Sequence, residues 1–292
     1  MPVELRYTST QPNKTVSFDF GTDSSVLSYV VGIAYWQFTY ESSDHHVKTL
    51  ALGITANLAD THTVTAKVTG TLSDDSGNNI SNSNSEVIAC CLAIVGSADS
   101  NLTLAAANSI ANQGTSNQIA LPGSSLSISS AFLAGFNLAY SSGDHHVHSF
   151  LTSAGFTQNG SVGEITAQAA MSDSSGNSVN TASINGGLVA ATPSESGLVA
   201  QSRVNLQTTD SVDVEFNKEI SAAVVLLQDV DMQFSGDHHI KTIGGGTTGW
   251  TLRTTGVTLD NARAFMSDAS GNNQVDSASS VSVVVVAVPS ES

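Results

Sequence analysis

The chain has 292 residues, 40% hydrophobic and only 12% charged, with 25 acidic against 9 basic residues and a formal net charge of −16. That balance excludes the Lys/Arg clusters a nucleic-acid partner requires and disfavours an anionic membrane surface. No apolar run approaches the roughly 20 residues of a membrane span, so no membrane insertion is expected.

In chain order, the first predicted element follows a start, Met1 to Tyr7, without the basic and apolar segments of a signal peptide. Synthesis in the cytosol is the expectation. Trp36, Phe38 and Tyr40 then alternate with other residues at the two-residue period of a half-buried strand. Asp44-His45-His46-Val47 follows, then a second alternating run through Val64, Ala66, Val68 and Gly70, a Ser-Asp-x-Ser-Gly-Asn segment from Ser73, and an apolar closing segment over residues 87–95. The closer holds the only cysteines, Cys90 and Cys91. On a strand, neighbours point to opposite faces, so both are read as free, packed thiols.

The same order recurs twice. Phe136, Leu138 and Tyr140 precede Asp144-His145-His146-Val147, and Ile165, Ala167 and Ala169 lead into the turn segment at Ser172, with a closer over 187–192. Val230, Met232 and Phe234 precede Asp237-His238-His239-Ile240, followed by the turn segment at Ser267 and a closer over 281–288. The closers read as central strands covered on both faces, and no segment has a helical period with caps.

A marker set repeated in fixed order at near-constant spacing defines the organisation. The expected fold is all-β: three tandem antiparallel β-sandwich or jelly-roll-like modules over residues 1–100, 101–196 and 197–292. The sequence leaves open a row of modules or a ring that reproduces a homotrimer within one chain, a pseudo-trimer.

In Ser-Asp-x-Ser-Gly-Asn, glycine permits positive φ while Asp and Asn bond to nearby backbone, which describes a turn. A calcium loop is the competing reading, but Asp75 is replaced by Ser174 and Ala269 in the later copies, leaving too few carboxylates.

Two readings suit Asp-His-His. In one, the aspartate closes a turn and pairs locally with a His or Lys on the following strand, while the first histidine packs inward. In the other, a ring brings His46, His146 and His239 together to hold Zn²⁺, Ni²⁺ or Fe²⁺, with Asp44, Asp144 and Asp237 behind them and His148 as an extra ligand. The letters also match the Asp-His-His phosphoesterases, but those resemble α/β domains that carry the motif once. Three equal copies in an all-β setting point to structural or binding roles, so no catalytic residue is assigned.

From Ala223-Val224-Val225-Leu226-Leu227 through Val230-Asp231-Met232 to the closing segment 281–288, the third unit resembles an H-type lectin module. The resemblance implies a six-stranded antiparallel sandwich, often trimeric, that binds N-acetylgalactosamine-type sugars. Where that family carries a Trp-bearing sugar-contacting segment, this chain has Ser-Asp-x-Ser-Gly-Asn, so the sugar-binding residues do not carry over. Trp250, after the glycine-rich 244–249, is the candidate ligand contact.

These features give the functional expectation of a non-enzymatic structural or adhesive protein, a component of a phage virion or other extracellular particle, that associates with itself or other particle subunits and binds surface glycans. The rival readings are a soluble lectin with three similar sites and a metal-dependent hydrolase.

Overall fold

The computed structural model describes residues 3–23, 25–194, 197–207 and 211–290. The boundary expected at Ser196 lies outside the described residues.

The protein is all-β. The first repeat contributes β1 (Val3–Thr10), β2 (Thr15–Asp19), β3 (Val26–Thr39), β4 (Thr49–Leu58), β5 (Thr63–Ser73) and β6 (Glu86–Val95). The second contributes β7 (Leu102–Ala111), β8 (Ile119–Ala120), β9 (Ile128–Ala139), β10 (Val147–Asn159), β11 (Val162–Ser172) and β12 (Thr181–Ala191). The third contributes β13 (Val199–Leu206), β14 (Val212–Glu215), β15 (Ile220–His238), β16 (Thr242–Gly246), β17 (Gly249–Leu252), β18 (Gly256–Asp260), β19 (Arg263–Ser267) and β20 (Ser280–Pro289). Strand formation follows the residue types. The closers β6, β12 and β20 are apolar and each is the middle strand of a trio, β1-β6-β3, β7-β12-β9 and β13-β20-β15. The Val283–Val286 run is fully buried, as suits β-branched side chains in a strand covered on both faces. In β5 and β11, by contrast, buried and less buried residues alternate.

The sheets are shared between repeats. At Asp-His-His the chain leaves one sheet and enters the next. β4 pairs antiparallel with β9, from Thr49 opposite Ala139 to Gly53 opposite Gly135. β10 pairs with β15, from Ser149 opposite Gln233 to Ser153 opposite Asp229. β16 pairs with β3, from Thr242 opposite Thr39 to Gly246 opposite Tyr35. First to second, second to third, third to first: the pairing is cyclic. The result is sheets ordered β1-β6-β3-β16-β19, β2-β5-β4-β9-β12-β7 and β13-β20-β15-β10-β11-β8, with a small fourth sheet, β14-β18-β17. The expectation of separate sandwiches is refined accordingly, because each of the three large sheets takes strands from two repeats.

β3, β9 and β15 also pack on one another at the centre. Gly32 of β3 leaves space that Phe132 of β9 and Leu226 of β15 fill, and a Cβ there would lie 2.6 Å from the Phe132 ring. Close packing of this kind fixes how three similar but unequal surfaces interlock. Beside it, Trp36 packs on Phe136 and Phe150, with ring centroids 5.0 and 5.7 Å away.

The third repeat departs from the others in its outer hairpin. The long β4–β5 and β10–β11 ribbons become two short pairs, β16–β19 and β17–β18. The break falls at Gly246, with φ +118°, and Asn261, with φ 49°. Across the bend the Thr247 hydroxyl donates to the carbonyl of Asp260 at 2.7 Å. The glycines of 244–246, which read in sequence as a flexible stretch, are strand residues pressed against β3. A Cβ on Gly244 would lie 2.3 Å from the Trp36 carbonyl oxygen.

Candidate metal centre

The site begins with three pairs of main-chain contacts. His45 and Ile240 exchange N–H···O bonds of 2.9 Å in both directions. Val47 and His145 do the same at 2.8 and 3.0 Å. Val147 pairs with His238. In each copy the second histidine lies between the two bridged positions, so a closed triangle of backbone holds His46, His146 and His239. Alternation along an extended chain sends their side chains to the face opposite the bridged neighbours; on the neighbours' own face Val47, Val147 and Ile240 are fully buried.

The three rings meet. Centroid separations are 4.3 Å for His46–His146, 4.6 Å for His46–His239 and 4.7 Å for His146–His239. One ring nitrogen from each lies within 4.8 Å of the others. Nitrogens around a zinc ion at about 2.0–2.1 Å sit closer than that, so binding would draw the three rings together. His46 and His146 are half-buried and His239 is exposed. Burial, together with the neighbouring His46 and His239, lowers the pKa of His146 from its ordinary value, outweighing Asp237 and Asp173. The neutral ring, the form that donates a lone pair, is thereby favoured.

The aspartates of the motif act between repeats. Asp144 lies 3.2 Å from Nδ1 of His46 and accepts the Asp75 N–H at 3.1 Å. Asp237 accepts the Ser174 N–H and hydroxyl at 2.6 and 2.7 Å. Asp44 accepts the Ala269 N–H at 3.2 Å. Each therefore caps the Ser-Asp-x-Ser-Gly-Asn turn of the preceding repeat, in the same cyclic order as the sheets. Burial works to raise the Asp144 carboxyl, but the Asp75 amide and His46 prevail and hold it below the usual carboxylate range. The local Asp–His or Asp–Lys pairing read from the sequence is thus replaced by pairing across repeats.

The first histidines have another role. Nδ1 of His145 lies 3.0 Å from Asp173, and that of His45 lies 3.4 Å from Asp74, the aspartates of their own turns. Their rings face Tyr140 and Tyr40, with centroids 4.3 and 5.0 Å away. In the third repeat Phe234 takes the tyrosine's place, and Nε2 of His238 is buried without a partner.

The turn aspartates are themselves occupied. Asp74 accepts the Ser76 and Asn78 N–H groups at 2.9 and 2.8 Å, and Gly77, Gly176 and Gly271 have φ of 94°, 92° and 81°. This is turn chemistry.

Two residues singled out in the sequence lie apart from the cluster. His148 turns to the Gly236 carbonyl, with Nδ1 at 3.2 Å. Its counterparts Lys48 and Lys241 are engaged by Asp75 and by the Tyr40 and Ser42 carbonyls. Trp250 packs partly buried against the core, with its ring 4.4 Å from that of Tyr7 and its N–H donated to the Ala223 carbonyl at 3.2 Å. The sequence offered no signal for the cross-repeat caps, because the donor common to all three is a main-chain N–H, with the Ser174 hydroxyl added only at Asp237.

No family model matches the chain, and no curated protein matches it.

Proposed function

We propose that the chain is a non-enzymatic structural or adhesive protein in which three β modules form a pseudo-trimeric ring, with a divalent transition metal held on the axis by His46, His146 and His239. The observation that carries this reading is the closed cycle of β4–β9, β10–β15 and β16–β3 pairing with one histidine from each repeat at its centre. A homotrimer brings one residue per subunit to its axis, and a threefold repeat in one chain does the same. Imidazole suits Zn²⁺, Ni²⁺ and Fe²⁺ alike. The metal's role is structural, because its ligands come from three modules and converge only when the ring is closed. A rigid, acidic, tandem-module body suits a component of a phage or other extracellular particle that associates with copies of itself or with other subunits.

Elemental analysis with native mass spectrometry tests this. The expected result is one metal ion per chain in a compact species, lost on replacing His146 by Ala. An intact protein that binds no transition metal would overturn the axial clasp.

A second reading, glycan binding as in H-type lectins, is favoured by a groove of about 360 Å³ between β3 and β19. Tyr35, Gln37, Asn261, Arg263 and Asn273 line it, a set of aromatic, amide and guanidinium groups suited to polyhydroxylated ligands. A glycan array probed with the purified protein is expected to give hits that weaken on Gln37→Ala. An empty array would remove this reading.

A further inference from the structure

We infer that the axial metal keeps a coordination position open to solvent and that this position takes a carboxylate from outside the chain. The inference rests on the metal reading above and adds the ligand.

Chain donors around the axis are already committed. Asp44, Asp144 and Asp237, the nearest carboxylates in sequence to the three histidines, accept hydrogen bonds from Ala269, Asp75 and Ser174. Releasing one of them to the metal would uncap a turn. His148 is held at the Gly236 carbonyl, and His45 and His145 face the turn aspartates. His238 has no hydrogen-bond partner at Nε2, but that atom is buried, the ring lies beside Phe234, and alternation turns it away from His239. Among the described residues that leaves three imidazoles, one from each repeat, and a fourth position filled from outside. An open fourth position beside three protein ligands is the arrangement in which zinc exchanges water for another ligand.

Access and charge identify what enters. His239 is exposed and the His46 side chain retains 35% of its exposure, so the free side of the cluster meets solvent. Three neutral imidazoles leave the ion's two positive charges uncompensated by direct ligands. Asp144 beside His46, and Asp237 and Asp173 near His146, offset them from outside the ligand set. An anionic oxygen donor gains most from such an ion, and carboxylate oxygen is a ligand that zinc and its neighbours accept. The axis end is therefore a metal-dependent docking point for a carboxylate, supplied by a small molecule or by a second copy of this chain.

Cobalt(II) is the probe, because its visible bands report coordination number and ligand exchange. Protein freed of metal by chelation and dialysis is titrated with Co²⁺, then with acetate, with acetamide as the uncharged control. The expected result is one Co²⁺ per chain and bands that shift saturably with acetate and stay unmoved by acetamide. His148→Ala is expected to behave as the parent, and His146→Ala to lose Co²⁺ uptake while keeping its far-ultraviolet circular dichroism. Native mass distinguishes the sources. A cobalt-dependent dimer dispersed by acetate assigns the carboxylate to a second copy, and a monomer whose bands shift assigns it to a small molecule. Bound Co²⁺ with bands indifferent to acetate overturns the open position and leaves the metal clasp standing. Absence of Co²⁺ uptake overturns both.

Discussion

The carboxylate of Asp144 lies 3.2 Å from Nδ1 of His46, a residue 98 positions earlier in the chain. With Nδ1–H donating in that hydrogen bond, the free lone pair is left on Nε2, the atom then available to a metal. The other carboxylate oxygen caps the first repeat's turn at the Asp75 N–H. One side chain thus ties together a turn, a ligand and the junction between two repeats. Asp237 has two donors on its turn, Ser174 N–H and hydroxyl, whereas Asp44 has one, the longer bond from Ala269. Alanine replacements are expected to destabilise in that order, Asp144 and Asp237 by about 1–2 kcal/mol and Asp44 by less, since partly exposed bonds are worth about 1 kcal/mol each. Urea unfolding midpoints of the three variants check the order. Midpoints unchanged from the parent's would mean that the caps contribute nothing to the junctions.

Gly246 stands where the third repeat's β16 meets the first repeat's β3. Its φ of +118° is open to glycine, and an added Cβ would lie 2.2 Å from the carbonyl oxygen of Ala34. Both the conformation and the clash oppose any side chain. Gly246→Ala is expected to destabilise the protein by about 3 kcal/mol, through overpacking against a backbone that cannot yield. Because the strand pair it damages joins the last repeat to the first, early protease cleavage is expected within residues 240–262. Gly236→Ala is the control: no atom lies within 4 Å of its added Cβ, and a change within about 0.5 kcal/mol is expected.

The positions of the strands were legible because alternation and β-branched runs act locally. Trp36 and Phe38, and Val283 to Val286, lie on strands as their patterns imply, and Tyr40 sits in an isolated bridge just past the end of β3. The convergence of His46, His146 and His239 was legible only as one of two readings: copies in a closed ring meet if their side chains face the axis, and the equally repeated His45 and His145 face turn aspartates instead. Strand partners were not. A half-buried strand pairs equally well with its own repeat or the next, and nothing in Thr49 to Gly53 specifies β9. The cross-repeat caps of the aspartates were hidden as well: the main-chain N–H donors common to all three leave no trace in residue identity, and nothing local pairs His46 with Asp144 or the Ser174 hydroxyl with Asp237. His148 misled because two-residue alternation puts it on the face of His146, while the Gly236 carbonyl holds its ring elsewhere.

Cys90 and Cys91 are both fully buried on β6, and Cys90 Sγ sits 3.3 Å from the Val225 carbonyl. Burial pushes both thiols far above their ordinary pKa, with each other's charge adding for Cys90 and Arg6 opposing weakly for Cys91. A thiol must ionise and be reached to react. Folded protein is expected to give no colour with Ellman's reagent over minutes, and denatured protein to give two thiols per chain. Rapid labelling of the folded protein would show that β6 is not the closed central strand described.

Asp229 faces Ser153 across the β10–β15 junction and shares its strand face with Asp231. Burial, and secondarily the Asp231 charge, pushes its carboxyl up to about 6 against the opposing hydrogen bond from Ser153. Between the ordinary carboxylate range and pH 6 the folded protein holds a proton that the unfolded chain has released. Stability therefore falls as pH rises through that window and is flat above it. The ionised group costs on the order of 2–3 kcal/mol at pH 7.5. An amide keeps the bond to Ser153 without the charge. Asp229→Asn is expected to raise the melting temperature by several degrees at pH 7.5 and to leave it unchanged at pH 4. Thermal unfolding of both proteins across that range checks the sign. A gain independent of pH would place the effect in packing, and a loss at pH 7.5 would show that the ionised carboxylate has a partner at the junction.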